Sequence, residues 1–83
     1  MKRTVDEKYK YNQSRKDTFS TGYCTGVTLY RSYIKSDGET KAMIKEIISN
    51  SKELARKGDD LGKGVMCAVR DCAEERKAKQ RRR

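Results

Sequence analysis

The sequence predicts an all-α fold, a small three-helix bundle with a basic N-terminal arm and a basic C-terminal helix extension. Three observations carry this expectation. No proline interrupts the 83 residues. Apolar side chains recur with a helical period in three successive stretches. Two glycine-bearing turns, Ser36-Asp37-Gly38-Glu39 and Lys57-Gly58-Asp59-Asp60, separate those stretches. In each turn a left-handed glycine can close one helix, while acidic or hydroxyl neighbours cap the next. The organisation expected is an arm over residues 1–16 (with a short helix as one option), a bundle over 17–75 and a basic tail over 76–83.

The first helical stretch runs from about Asp17 to Lys35. At roughly 100° per residue, Phe19, Tyr23, Val27, Tyr30 and Ile34 fall in one arc. Gly22, Gly26, Leu29 and Tyr33 flank it, and Ser20, Thr21, Cys24, Thr25, Thr28, Arg31, Ser32 and Lys35 lie opposite. Thr25 to Tyr30 also suits a strand, since β-branched and aromatic residues favour sheets. The helical period persists from Phe19 to Ile34, so helix is the reading adopted. The second stretch, about Glu39 to Arg56, gathers Met43, Ile44, Ile47, Ile48, Ser51, Leu54 and Ala55 on one face. The third begins near Asp60 with a thin stripe of Leu61, Val65, Ala68, Val69 and Cys72. Such a stripe suits either close packing against Gly22 and Gly26 or a core completed by homodimerisation.

The first sixteen residues read differently. Thr4-Val5-Asp6-Glu7 fits a capping box, which favours a short helix. Lys8-Tyr9-Lys10-Tyr11 alternates like an extended arm, and Asn12 to Lys16 reads as a loop.

Composition narrows the function. Histidine is absent, which removes the commonest general base and the commonest metal ligand. Cys24, Cys67 and Cys72 make an odd count, and Cys67 and Cys72 would point about 140° apart on a helix. Free thiols are therefore expected, with no metal site and no cofactor. No Gly-rich phosphate loop is present, and no thiol has a histidine to activate it. A non-enzymatic protein is expected. The opening Met1-Lys2-Arg3-Thr4 leads into no apolar signal core, and no apolar run approaches spanning length. The expectation is a cytoplasmic protein without stable membrane insertion.

Charge supplies the functional expectation. The net charge is +9, and it is unevenly placed. Residues 1–16 hold six Lys/Arg against two Asp/Glu, and residues 70–83 hold seven against three. The middle, 17–69, holds eight against seven. A surplus outside the core suits either solubility, as a solvated tail, or an anionic partner. Arg76, Lys77, Lys79, Arg81, Arg82 and Arg83 could meet successive phosphates, with arginine offering a planar fork. In the arm, Tyr9 and Tyr11 interleave with Lys8 and Lys10, and Arg15 and Lys16 follow. Aromatics among cations can stack on unpaired bases while the charges track the backbone; the alternative is that Tyr9 and Tyr11, or one of them, staple the arm onto the bundle. These twelve residues are the candidate nucleic-acid-binding set. A helix-turn-helix across Leu54 to Val69 fits poorly, because Asp59 and Asp60 would face phosphate at the head of the recognition helix.

The hexapeptide Gly22-Tyr23-Cys24-Thr25-Gly26-Val27 loosely resembles a helix motif of some small exported immunity proteins. The sequence shows neither the export signal nor the paired cysteines of that group, so no role is carried across. Two functions remain expected. One is direct binding of RNA or DNA. The other is an accessory protein, of the phage or mobile-element type, that binds a host protein complex handling nucleic acid.

Overall fold

The computed structural model describes residues 3–81. Four helices follow one another: α1 (Val5–Ser14), α2 (Thr18–Lys35), α3 (Gly38–Arg56) and α4 (Asp60–Arg81). Among the described residues there is no strand, so the sheet alternative for Thr25 to Tyr30 is not taken up.

Local chemistry sets the boundaries. Asp17 caps α2 by accepting the Ser20 N–H at 2.7 Å. The left-handed Gly58, at φ +93°, lets α3 end in a double backbone closure. Its own N–H reaches Ala55 O at 3.0 Å, and the Asp59 N–H reaches Leu54 O at 3.0 Å. Only a residue without a Cβ takes that φ at no steric cost. Asp59 then caps α4 by accepting the Gly62 N–H at 3.0 Å.

Of the two options for the first sixteen residues, the helical one forms, as α1. The capping box forms as read, with the Glu7 N–H on Thr4 Oγ1 at 3.2 Å and the Thr4 N–H on Glu7 Oε1 at 2.9 Å. Helix then continues to Ser14, through the segment that alternates like a strand. The reason lies in the positions 5, 8, 9 and 12, which share one face of a helix. Val5 is buried and Tyr9 packs on the core. Lys8 and Asn12 meet polar partners, so the inner face is half polar and its period invisible to a search for apolar residues.

Helix α2 is central. Its widest interface is with α4, and it is built on glycine. A Cβ on Gly26 would stand 2.6 Å from Val65 O and 2.7 Å from Ala68 Cβ. A Cβ on Gly22 would collide with Leu61 O, and one on Gly64 with Phe19 O. The two backbones therefore touch, which explains why alanine and cysteine suffice on α4. Val65, Ala68 and Cys72 are buried, and Ala68 and Cys72 share one core cluster with Tyr23 and Val27. Close packing on Gly22 and Gly26 is thus the use of the thin stripe inside one chain.

The buried set reaches beyond the expected arc. Ser20, assigned by periodicity to the polar face, is 2% exposed and donates to Asn12 Oδ1 at 2.9 Å. Cys24 and Cys67, assigned to polar faces, are both partly buried. The cause is α1, which covers a flank of α2 that a three-helix bundle leaves open. Helix α3 packs with Ile44 as its buried anchor, while Met43, Ile47 and Leu54 stay exposed. The molecule is a slab of 38 × 36 × 20 Å, about two helix diameters thick.

Candidate nucleic-acid interface

Besides the bond from Ser20 to Asn12, polar contacts near the start of α1 hold it against the C-terminal half of α4 and against α2. The Val5 N–H, unsatisfied within the first turn of α1, donates to Glu75 Oε2 at 3.0 Å. Lys8 Nζ pairs with Asp71 Oδ2 at 3.1 Å. Arg31 on α2 donates to Asp6 Oδ1. Asp71 serves twice, since the Tyr23 hydroxyl also donates to its Oδ2 at 2.8 Å. Burial, helped by this carboxylate, pushes the Tyr23 phenol well above its usual range.

The docking carries Asp6 into basic surroundings. The Arg31 hydrogen bond and then the Arg31 charge hold the Asp6 carboxyl below its usual value, with Lys79 and Lys10 adding to the effect. Between the start of α1, the end of α2 and α4 lies an open cleft of about 210 Å³. Its apolar lining includes Val5, Tyr30, Ile34 and Cys72, and its charged lining is Asp6, Arg31, Glu75, Arg76 and Lys79.

The twelve expected residues divide into three groups. Lys8 and Tyr9 are absorbed by the fold, one in the ion pair with Asp71 and one against the core. Lys10, Arg76 and Lys79 belong to the end that contains the cleft, and Lys77 is exposed on the same last turns of α4. Tyr11 and Arg15 form a separate ladder at the other end of α1. The guanidinium groups of Arg3 and Arg15 stand 5.4 Å and 5.5 Å from the Tyr11 ring centroid. Arg15 also donates to the Tyr11 hydroxyl and to Asp17 Oδ2, both at 2.9 Å. Lys16 is exposed in the link that follows. Arg81 ends α4, and Arg82 and Arg83 lie outside the described residues.

Arg31 and Tyr30 were not in the expected set, yet they complete the charged cleft. Their only signal in the sequence is a charge and an aromatic on neighbouring faces of α2. The contact that recruits them joins positions 6 and 31, which no local pattern reports. Among the described residues, no three Cys, Asp or Glu side chains come together as a metal-ligand set, and no helix is long and apolar enough to cross a membrane.

Comparison with protein-family models, with curated proteins and with solved structures returns no match. Among the described residues the fold is all-helical, with an open cleft at one end lined by three cations and two carboxylates.

Proposed function

We propose that the chain is a small, non-enzymatic, cytoplasmic binding protein that contacts RNA or DNA mainly through phosphates. Arg76, Lys77, Lys79 and the three arginines that follow are the principal contacts, with Lys10 and Arg31 flanking them. Arg15 and Lys16, beside Tyr11, are a secondary patch. Lys8 and Tyr9 serve indirectly, by holding α1 on the bundle.

One observation carries this reading: Arg76, Lys77 and Lys79 crowd three exposed cations into four residues near the end of α4 with no ion pair among the described residues. Lys8, Arg15 and Arg31 each meet a carboxylate. Arg76, Lys77 and Lys79 lie beyond Cys72, the last buried residue described on α4. Unpaired, closely spaced cations release counterions when they meet a polyanion, and that release favours binding regardless of sequence.

The test is a polarisation titration of the full chain against labelled single-stranded RNA, single-stranded DNA and duplex DNA between low and moderate salt. Affinity is expected to fall steeply with salt. Deleting residues 76–83 should reduce the log–log salt slope by up to about 4 to 5, if each of the removed cations meets a phosphate. Absence of binding at low salt, or a slope unchanged by the deletion, rejects the reading. A protein partner, the second function expected, is favoured by a different surface, the open face of α3.

A further inference from the structure

Helix α3 is wider in its apolar arc than the bundle it joins. Ile44, Ile48, Ser51 and Ala55 form one row, spaced four, three and four residues apart, and all four are buried or partly buried. Met43, Ile47 and Leu54 form the next row, about 90° around the helix, and they are 64%, 45% and 44% exposed. Beyond that row, on the side away from the bundle, Glu39, Glu46 and Glu53 recur every seven residues and are all exposed. Lys41, Lys45, Lys52 and Arg56 occupy the opposite side of α3, across the buried row. The uncovered stripe therefore has the bundle on one side and a line of carboxylates on the other.

We propose that this stripe is a docking surface for a basic amphipathic helix, whose apolar row covers Met43, Ile47 and Leu54 and whose Lys or Arg row meets Glu46 and Glu53. The exposed row is about 17 Å long at 1.5 Å per residue, or about three turns, which a partner helix of about four turns spans with about half a turn to spare at each end. Charge argues against a second copy as the occupant. Two copies packed antiparallel through this row would set Glu46 and Glu53 of each against those of the other, because flanking positions of the same type face one another in that geometry. Each copy also carries a net +9. Only the local row, and not the whole molecule, attracts a cationic partner, so the specificity comes from close pairing at the stripe.

That contrast gives a sharp test, independent of nucleic acid. Two synthetic four-turn peptides share a leucine row, one flanked by lysine and the other by glutamate. Each is titrated calorimetrically into the full chain at physiological salt. Net charge alone dictates tighter binding of the glutamate peptide. The proposal expects the lysine peptide to bind more tightly, by about tenfold, the scale of one or two well-formed charge pairs. E46K/E53K should reverse that order. Ile47→Ser with Leu54→Ser should weaken the lysine peptide by about tenfold or more as two hydrophobic anchors are lost, with an unchanged helical spectrum because both positions are exposed. The proposal is overturned if the glutamate peptide binds as tightly as the lysine peptide. Indifference of binding to the serine variants overturns it too. So does sedimentation showing a dimer that Ile47→Ser converts to monomer. None of these results bears on the phosphate-binding reading, which rests on α4.

Discussion

Replacing Gly64 by alanine tests the central packing claim directly. In an exposed helix interior this change stabilises, by about 1 kcal/mol of helix propensity. Here the added Cβ would collide with Phe19 O, and it would stand 2.8 Å from Tyr23 N and 3.0 Å from Gly22 C. Comfortable contact between carbon atoms needs about 3.5–4.0 Å. The opposing atoms are backbone, so no rotamer change relieves the clash, and α2 and α4 must move apart. Overpacking of this kind costs about 1–3 kcal/mol, occasionally more. Separation also loosens Val27, Ala68 and Cys72, which bury themselves at the same interface. A net loss of about 2 kcal/mol is expected, against a total stability of about 4–12 kcal/mol for a chain of this length. Thermal unfolding followed by circular dichroism should show Tm lowered by about 8–16 °C. Gly38→Asn is the control. Nothing lies within 4 Å of a Cβ there, and its φ of +56° is one that asparagine tolerates, so Tm should barely move. Gly22→Ala combined with Gly64→Ala should cost less than the sum, since the first clash already separates the helices. A higher Tm for Gly64→Ala would refute the argument, because propensity could prevail only if the two backbones were not in contact.

Two further outcomes follow from the polar contacts around α1. Tyr23→Phe removes one hydrogen bond to Asp71 and should cost about 1 kcal/mol, whereas Asp71→Ala strands both Tyr23 and Lys8 and should cost about 2–3 kcal/mol. Chemical denaturation that ranks them the other way would mean that Asp71 is not the shared acceptor. The pH profile of stability should be a plateau with two edges. The carboxyls of Asp6, beside Arg31, and of Asp17, bonded to the Ser20 N–H and to Arg15, sit below their ordinary 3.8 in the folded chain. Their contribution is present above 3.8, begins to fade as the unfolded chain takes up protons, and is gone once the pH has dropped through the lowered folded values. On the alkaline side, burial raises the Cys72 and Cys24 thiols above 9.0 and the Tyr23 phenol above 10.0. There the unfolded chain loses protons first, so stability should decline from about pH 9 upward. An acid edge starting near pH 6 in a denaturation series would contradict this assignment.

The starts of α2 and α4 and the stop of α3 were legible because their chemistry is local. Asp17 caps within three residues, and Gly58 closes α3 within four. The first turn departs from the expectation: Gly38 is left-handed but opens α3 instead of closing α2, which ends at an extended Ser36, and Asp37 makes no side-chain cap. Helix α1 was half legible. Its capping box lies in four consecutive residues, but its course after Glu7 depends on partners far along the chain. Lys8 finds Asp71, and Asn12 finds Ser20. Neither contact leaves an apolar period, so alternation of Lys and Tyr dominated the pattern. The same blindness affected the candidate site. The exposure of Arg76, Lys77 and Lys79 could be read from a charged run past the apolar stripe of α4, which ends at Cys72. The use of Lys8 inside the fold could not, and neither could the meeting of Arg31 with Asp6, whereas the packing of Tyr9 on the bundle was one of the two readings of the arm's tyrosines.

The two faces of the molecule separate its tasks on physical grounds. Stability rests on backbone proximity at α2 and α4, where the buried side chains are small: Val27, Val65, Ala68 and Cys72 among them. An interface of that kind depends on glycine positions and hardly at all on surface charge. Helix α1 differs, since its attachment combines Val5 and Tyr9 with two ion pairs and a capped N–H. Those ionic contacts flank the cations proposed to meet phosphate. A polyanion at Arg76 and Lys79 would compete with Asp6 for Arg31, while Lys8 and Asp71, less exposed at 36% and 15%, would be screened less. Helix α1 would then stay docked through Val5 and Lys8 even with Asp6 displaced. On the proposed reading, Arg31 would exchange Asp6 for a phosphate at this end without α1 leaving the bundle.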